Sequence, residues 1–454
     1  VIPLLAIVLG LRANIALAWL AALVGIALLA NPRACYFFFL ASVSFYYLPI
    51  QMGLFAVNPS DVLLLILALG VLLEFLLRVR TEIWRTPFDI LFLGLIAVTY
   101  VSMLFAHNLS LCITPAVRIL TLFVAFRLTY KLAIEIGVRP ILKFYIYQVL
   151  VLSLINCWLF LIDGGDRRIF GPAWITFETF SMTALPMAAC FMLFASSWSE
   201  RIRYGIICLV IGIAIFATQS RAPIVAVVLA LPVLVIVASG KISSHRRSLS
   251  AGRVLILVVP AVCVMALFFA FKETFFAGAF DRIESLLNSI VKAEGTVALR
   301  LVLWEGAIKA FLSDPLVGIG IGNYRVIDEV IPEIKAEPVW YYIRGMSPHN
   351  VVLQYLAETG IFGALIIIGL AARGLKTSFR AWTPTMSRRD NQVSAAVFVG
   401  MFVFFVTIFY MRAWTWGLDS YIMAMLFGLT AAWSSRSEDN APRRQAPLNQ
   451  AISE

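Results

Sequence analysis

Long apolar runs divided by short polar junctions make up nearly the whole chain. The runs fall near 1–11, 14–30, 34–50, 61–77, 87–105, 113–130, 140–162, 176–197, 204–218, 222–239, 254–271, 351–371, 394–410 and 415–433. Most approach the ~20 residues that a helix needs to cross the hydrocarbon of a bilayer at about 1.5 Å per residue. The runs at 1–11, 34–50 and 204–218 are short for this, which suits half-helices or interfacial pieces. The first has no basic segment ahead of it and no cleavage-site pattern, so it reads as a span rather than a removable signal. Strand-length alternation of the outer-membrane barrel kind is absent. The pattern predicts an all-α polytopic membrane protein of about 12–14 spans.

Composition agrees. Of 454 residues, 61% are hydrophobic and 13% charged, and the mean hydropathy is +0.93. The net charge of +11 would suit nucleic acid only if the cations formed a patch, and they do not. They cluster in the junctions 78–85, 131–143, 199–203, 240–253 and 373–389. From the fourth run onward every second junction is basic, so the positive-inside bias puts these and the tail after Trp433 on the cytoplasmic side. Alternation then puts 106–112, 163–175, the Ser220–Arg221 corner, 272–348 and 411–414 on the other side. Arg167 and Arg168 sit there against the bias. Six cysteines lie in or at the ends of apolar runs, without a CxxC pair, so neither disulfide nor metal chemistry is expected. The expected divisions are a membrane bundle at 1–271, a long loop at 272–348, membrane helices at 349–433 and a disordered polar tail at 434–454.

The loop holds most of the candidate chemistry. Residues 277–291 read as an amphipathic helix lying on the membrane or capping the bundle. A second helix, Val297 to Leu312, puts Glu305 and Lys309 together as an i,i+4 pair. Arg300 then falls on the side of Leu303, Trp304, Ala307 and Phe311, where an arginine snorkels, forms a buried ion pair or binds an anion. Gly318, Gly320 and Gly322 alternate before Asn323 without the βαβ setting of a dinucleotide fingerprint, which leaves close backbone approach as their use. Ser347 reads as N-cap and Pro348 as first helical residue, so His349 is expected in the first turn of a membrane helix. Free N–H groups and the positive dipole end there favour anions and a neutral imidazole. A lone histidine is more often structural, and catalysis is the competing role. Arg118, inside the run 113–130, is a functional candidate or a snorkelling side chain. Glu358 is expected to pair with a neighbouring helix.

Three motifs gather on one side of the membrane: Thr218-Gln219-Ser220-Arg221, Arg300-x-x-x-Trp304 followed by Asp314-Pro315-x-x-Gly318-x-Gly320-x-Gly322-Asn323, and Pro348-His349-Asn350 followed by Glu358-x-Gly360. Over about 215–365 the chain resembles the bacterial O-antigen ligase and O-antigen polymerase superfamily. The resemblance implies a GT-C-type multi-span bundle with a long periplasmic loop, in the bacterial inner membrane. It also implies inverting, metal-independent transfer of a glycan from undecaprenyl diphosphate to lipid A-core or another glycan acceptor, with no cofactor and no nucleic-acid partner. By motif, His349 takes the place of the family's base, and Arg221 and Arg300 those of its diphosphate-binding arginines. Trp304 and Asn350 support them. Arg118 and Arg168 are further diphosphate candidates, and Ala222 departs from the glycine common in the family. Arginine's planar fork matches phosphate oxygens and a neutral histidine accepts a hydroxyl proton, so the residue chemistry agrees. Polymerase is the alternative within the superfamily. A transporter or flippase of the same lipid-linked sugar is the alternative outside it, though its site would lie near the midplane.

The alternation of basic junctions predicts that 272–348 faces away from the cytoplasm. In a background without native cysteines, an impermeant thiol reagent applied to spheroplasts should label Ser289→Cys and spare Ser243→Cys. The reverse pattern would overturn the orientation.

Overall fold

The computed structural model describes residues 24–44, 50–52, 55–77, 85–162, 177–218, 220–239, 296–337, 340–382, 387–407, 409 and 419–439. The expected helix at 277–291, the basic junction 240–253 and the outward arginines Arg167, Arg168 and Arg412 lie outside these residues. The chain divides into two compact units, residues 1–85 with 173–176, and residues 86–172 with 177–454.

In the first unit, helices Val24–Ala30 and Pro32–Val43 meet at a 120° bend. Asn31 explains the break. The residue before a proline resists helical geometry, while the Asn31 side chain accepts from Ala34 N–H at 3.2 Å and so caps the second helix, which Pro32 opens. That helix packs on Pro59–Leu76. A short antiparallel ladder, Ile50–Met52 with Phe55–Val57, lies between these helices in sequence; the architecture is otherwise helical, in keeping with the all-α expectation.

The described residues of the second unit form helices joined by turns, without a strand. Its largest helix pairing sets Leu109–Ile136 against Asp419–Asp439. Phe88, Phe92, Phe126 and Phe427 form an aromatic core, with Phe92 stacked on Phe126 at 4.7 Å and Phe88 edge-on to Phe427 at 4.9 Å. The last helix runs on to Asp439, so residues 434–439 are helical rather than part of a disordered tail. Arg436 accounts for this: its Nη2 donates to Ile134 O at 2.9 Å, meeting a carbonyl in the last turn of Leu109–Ile136.

Polar ties mark two opposite ends of this unit. At one, Arg139 Nη2 donates to Glu200 Oε1 at 3.1 Å and Gln392 Oε1 at 2.7 Å. Three of the basic junctions, 131–143, 199–203 and 373–389, contribute to or adjoin this cluster. Helix Trp198–Ala217 starts there and carries the chain about 30 Å. Thr218, Ser220 and the backbone of Arg221, first residue of helix Arg221–Ser239, therefore lie at the other end. Helix Leu109–Ile136 likewise places Ala106 to Cys112 at that end, where the segment after helix Thr296–Ser313 docks on it.

Docking depends on an interruption in helix Val351–Ala381. At Gly360 the backbone takes φ 67° and ψ −165°, far from helical geometry. The break frees the carbonyls of Ala357 and Glu358, which accept from Ile319 N–H and Gly320 N–H, both at 3.0 Å, while Ile361 N–H donates to Pro315 O at 2.9 Å. The three alternating glycines do make close backbone approaches. All have positive φ, and a side chain would strike Glu358–Thr359 backbone at Gly318, Ala106 at Gly320 and Leu111 at Gly322. Asn323 completes the seat: its Oδ1 accepts from Asn108 N–H at 2.7 Å and its Nδ2 donates to Asn108 O at 3.2 Å.

Among the described residues five helices are long and apolar enough to cross a membrane, or six if the bent pair counts as one span. Asp89–Leu104, Phe177–Leu193 and Pro223–Ala238 are shorter apolar helices. The apolar runs 1–11 and 254–271 fall outside the described residues.

Gly360→Ala should unfold at a clearly lower temperature in detergent. It combines a backbone region open essentially to glycine with a clash against Leu316, a cost of about 3 kcal/mol or more. Gly345→Ala also faces a positive φ but meets nothing within 4 Å, so about 1 kcal/mol is expected. Equal melting of the two variants would contradict this account.

Candidate active site

Helix Thr296–Ser313 lays one side on the domain. Leu303, Ala307 and Ala310 are buried in a cluster with Ile319, Tyr324, Ile327 and Ala357. Glu305 and Lys309 pair outward at 2.7 Å, as their spacing predicts. Trp304, next to the buried face, reaches across and donates from Nε1 to the carbonyl of Pro348 at 2.9 Å. Arg300 lies one turn earlier on the same helix, is partly buried, and by its i,i+4 spacing shares the face of Trp304.

The approach to His349 differs from the expected cap. Asn350, not Ser347, is the N-cap: it is extended, with φ −150°, and its Oδ1 accepts from Leu353 N–H at 3.0 Å. His349 therefore precedes the helix instead of lying in its first turn. It has a positive φ of 50°, uncommon outside glycine though less so for histidine. Pro at position 348 removes a donor and restrains its own φ, and the Trp304 bond holds its carbonyl. The strained residue is thus fixed on both sides, by Trp304 through Pro348 and by the Asn350 cap.

His349 faces a pocket of about 140 Å³ lined also by Tyr324, Arg325, Gly345, Met346, Ser347 and Gln354. None of the seven is acidic. Behind this wall Glu358 is 1% exposed, and its Oε1 accepts from Tyr324 N–H at 3.2 Å and from Gln354 Nε2 at 3.3 Å. It binds the turn Asn323–Val326 rather than a neighbouring membrane helix, and so couples two walls of the pocket. Tyr324 is buried, and its hydroxyl donates to Leu303 O. Burial first, and the Glu358 charge second, push this phenol well above the usual tyrosine range, which keeps it a donor.

The structure thus brings Trp304 to Pro348, the residue before His349, while Asn350 follows the histidine in the chain. Arg300 adjoins them through Trp304 without lining the pocket. Arg221 is described by its backbone alone, at the same end of the unit. Arg118 donates to Tyr421 Oη at 3.0 Å, with its guanidinium 5.9 Å from the ring, which joins Leu109–Ile136 to Asp419–Asp439. Arg168 lies outside the described residues. Sequence reasoning missed Arg325, Ser347 and Gln354 as pocket residues. Arg325 had a signal, since it follows directly on the Gly-rich turn. Among the described residues no group of three or more His, Cys, Asp or Glu is placed to hold a metal ion.

Residues 206–368 match the family model Wzy_C, described as O-antigen ligase. Over these residues, about a third of its length, the chain is similar to the O-antigen ligases that the model describes. The match spans the Arg221 helix start, the Arg300–Trp304 helix, the glycine turn, the pocket and the Gly360 break. No curated protein matches the chain. The apolar helices of spanning length describe a multi-pass membrane protein, and the family match supports a ligase- or polymerase-type function in general.

Trp304→Phe keeps an apolar ring and removes the donor to Pro348. Glycan transfer should fall roughly 10- to 100-fold through misplacement of His349, with a stability loss of only about 1–3 kcal/mol from the unpaired carbonyl. Parental turnover in a folded Trp304→Phe protein would show that this bond does not position the histidine.

Proposed function

We propose that the chain is an O-antigen ligase-type, inverting and metal-independent glycosyltransferase of the bacterial inner membrane, with its site on the periplasmic side. The observation that carries this reading is His349, held in a strained backbone conformation at a pocket without acidic residues, inside the region that matches the family. As general base, the neutral imidazole takes the proton of an acceptor-sugar hydroxyl. The hydroxyl oxygen then attacks the anomeric carbon of the donor from the side opposite its leaving group. The new glycosidic bond forms with inversion as the bond to undecaprenyl diphosphate breaks. Diphosphate leaves with its electron pair, and arginine guanidinium groups compensate the charge. Arg221 and Arg300 take this part by the resemblance, with arginine's fork replacing the divalent ion that other transferases use.

Lipid A-core is the proposed acceptor. A ligase has to receive one bulky, phosphorylated acceptor, whereas a polymerase has to hold two lipid-linked glycans. Arg167, Arg168 and Arg412, on the outward side by charge alternation, suit the acceptor's phosphates.

Purified His349→Ala protein should fold, retain donor binding and lose ~10²–10⁴-fold in turnover. The parental protein should keep its activity in EDTA. Supplied with undecaprenyl-diphosphate glycan alone it should make no product, and with lipid A-core it should make a glycosylated acceptor. A ladder of longer lipid-linked glycans in the first reaction would establish a polymerase instead, and parental turnover in His349→Ala would remove the histidine from the chemistry.

A further inference from the structure

Arg325 is a cation at the pocket that neither the family motifs nor the charge pattern picked out. We infer that Arg325 is a diphosphate-binding residue of this site, meeting the phosphates of the lipid-linked donor beside His349. This rests on the proposed transferase reading and assigns a further residue to it.

The placement of Arg325 is built with care for an exposed side chain. The residue sits in the turn Asn323–Val326, and every neighbour toward its N-terminus is tied down. Gly322 turns the chain at φ 82° against Leu111, Asn323 is bonded to Asn108, and Tyr324 is held through its N–H by Glu358 and through its hydroxyl by Leu303. An arginine merely solvated at a surface requires none of this. Its flank is exposed while Tyr324 before it is buried, so the guanidinium is accessible from the pocket side and its backbone is fixed from the other.

The surroundings favour an anion. No acidic residue lines the pocket itself; the carboxyl group within electrostatic reach of Arg325, Glu358, lies buried behind the wall, where it accepts from Tyr324 N–H and Gln354 Nε2. Gln354 belongs to the first turns of helix Val351–Ala381, so the positive end of that helix dipole adjoins the same space. A second, independent sign of a ligand is Ser347. Its Oγ is buried in the pocket wall and has no hydrogen-bond partner among the described residues, and buried hydroxyls are rarely left so. A guanidinium fork and a hydroxyl donor across a small pocket from an imidazole match a phosphate group better than a neutral sugar edge.

The test titrates farnesyl diphosphate, a short prenyl diphosphate without sugar, into the purified full-length chain in neutral detergent by calorimetry. Arg325→Gln should weaken binding roughly 10- to 100-fold, as expected for lost charge-assisted hydrogen bonds, and Arg325→Lys should recover part of it. Arg344→Gln, an exposed arginine outside the pocket, should bind as the parent does. In glycan transfer Arg325→Gln should raise the donor KM more than it lowers kcat, the opposite of the split expected for His349→Ala. Equal binding by Arg325→Gln and parent would overturn the assignment, as would a parental chain that does not bind the diphosphate. Displacement of the probe by phosphatidylglycerol at matching concentration would identify a lipid-headgroup site and overturn it too. Arg325-dependent diphosphate binding in a chain that shows no glycan transfer would sink the transferase reading alone. Intact transfer with unchanged binding in Arg325→Gln would sink only the role of Arg325.

Discussion

The break at Gly360 is the constraint on which the site depends. An unbroken helix from Val351 to Ala381 would use the carbonyls of Ala357 and Glu358 within itself, leaving the Ile319 and Gly320 N–H groups without these acceptors. By leaving helical geometry for one residue, the chain turns two helical acceptors into partners for the segment after Thr296–Ser313. Three glycines at positive φ then let that segment lie against backbone on two sides. A side chain at any of them would hold the turn away from its seat, and Tyr324 and Arg325 with it.

A buried carboxylate finishes what the backbone begins. Glu358 lies two residues before the break and accepts from both the turn, at Tyr324, and its own helix, at Gln354. Two walls of the pocket therefore share one anchor. Breaking a hydrogen-bonded buried carboxylate from its partners costs several kcal/mol, so the walls are coupled in energy as well as in position. Trp304 supplies the third tie, from the Thr296–Ser313 helix to Pro348. His349 sits between these ties in a conformation that an unconstrained residue would avoid.

The two ends of the larger unit differ in chemistry. One gathers basic junctions around Arg139, Glu200 and Gln392, whose bonds tie helices to one another. The other carries the glycine turn, Asn108, Asn323 and the pocket. Arg139 at the first bonds side chains of two other helices, whereas tight backbone packing at the second leaves a pocket lined by few charged side chains.

Much of this was legible from the residues themselves. Apolar run lengths gave the helical class, because a bilayer imposes its own length on a helix. The Glu305–Lys309 pair followed from helical spacing, and glycine alternation foretold close backbone contact because only glycine loses nothing at positive φ. His349, Trp304 and Asn350 were singled out by motif and are joined in space. The cap was misplaced by three residues, since Ser347 and Asn350 are both good N-caps locally and only the tertiary bond from Trp304 to Pro348 selects between the two helix starts. Arg325 was harder to read for a similar reason: its place just after a glycine turn is a signal, but one arginine there has no periodicity to single it out, and its setting comes from the elements around it. Local sequence settles what depends on a residue and its near neighbours, such as burial period, capping propensity and chain reversal. Which carbonyl a broken helix offers, and to which distant N–H, depends on segments far apart in the chain, such as Glu358 and Gly320, and packing alone decides it.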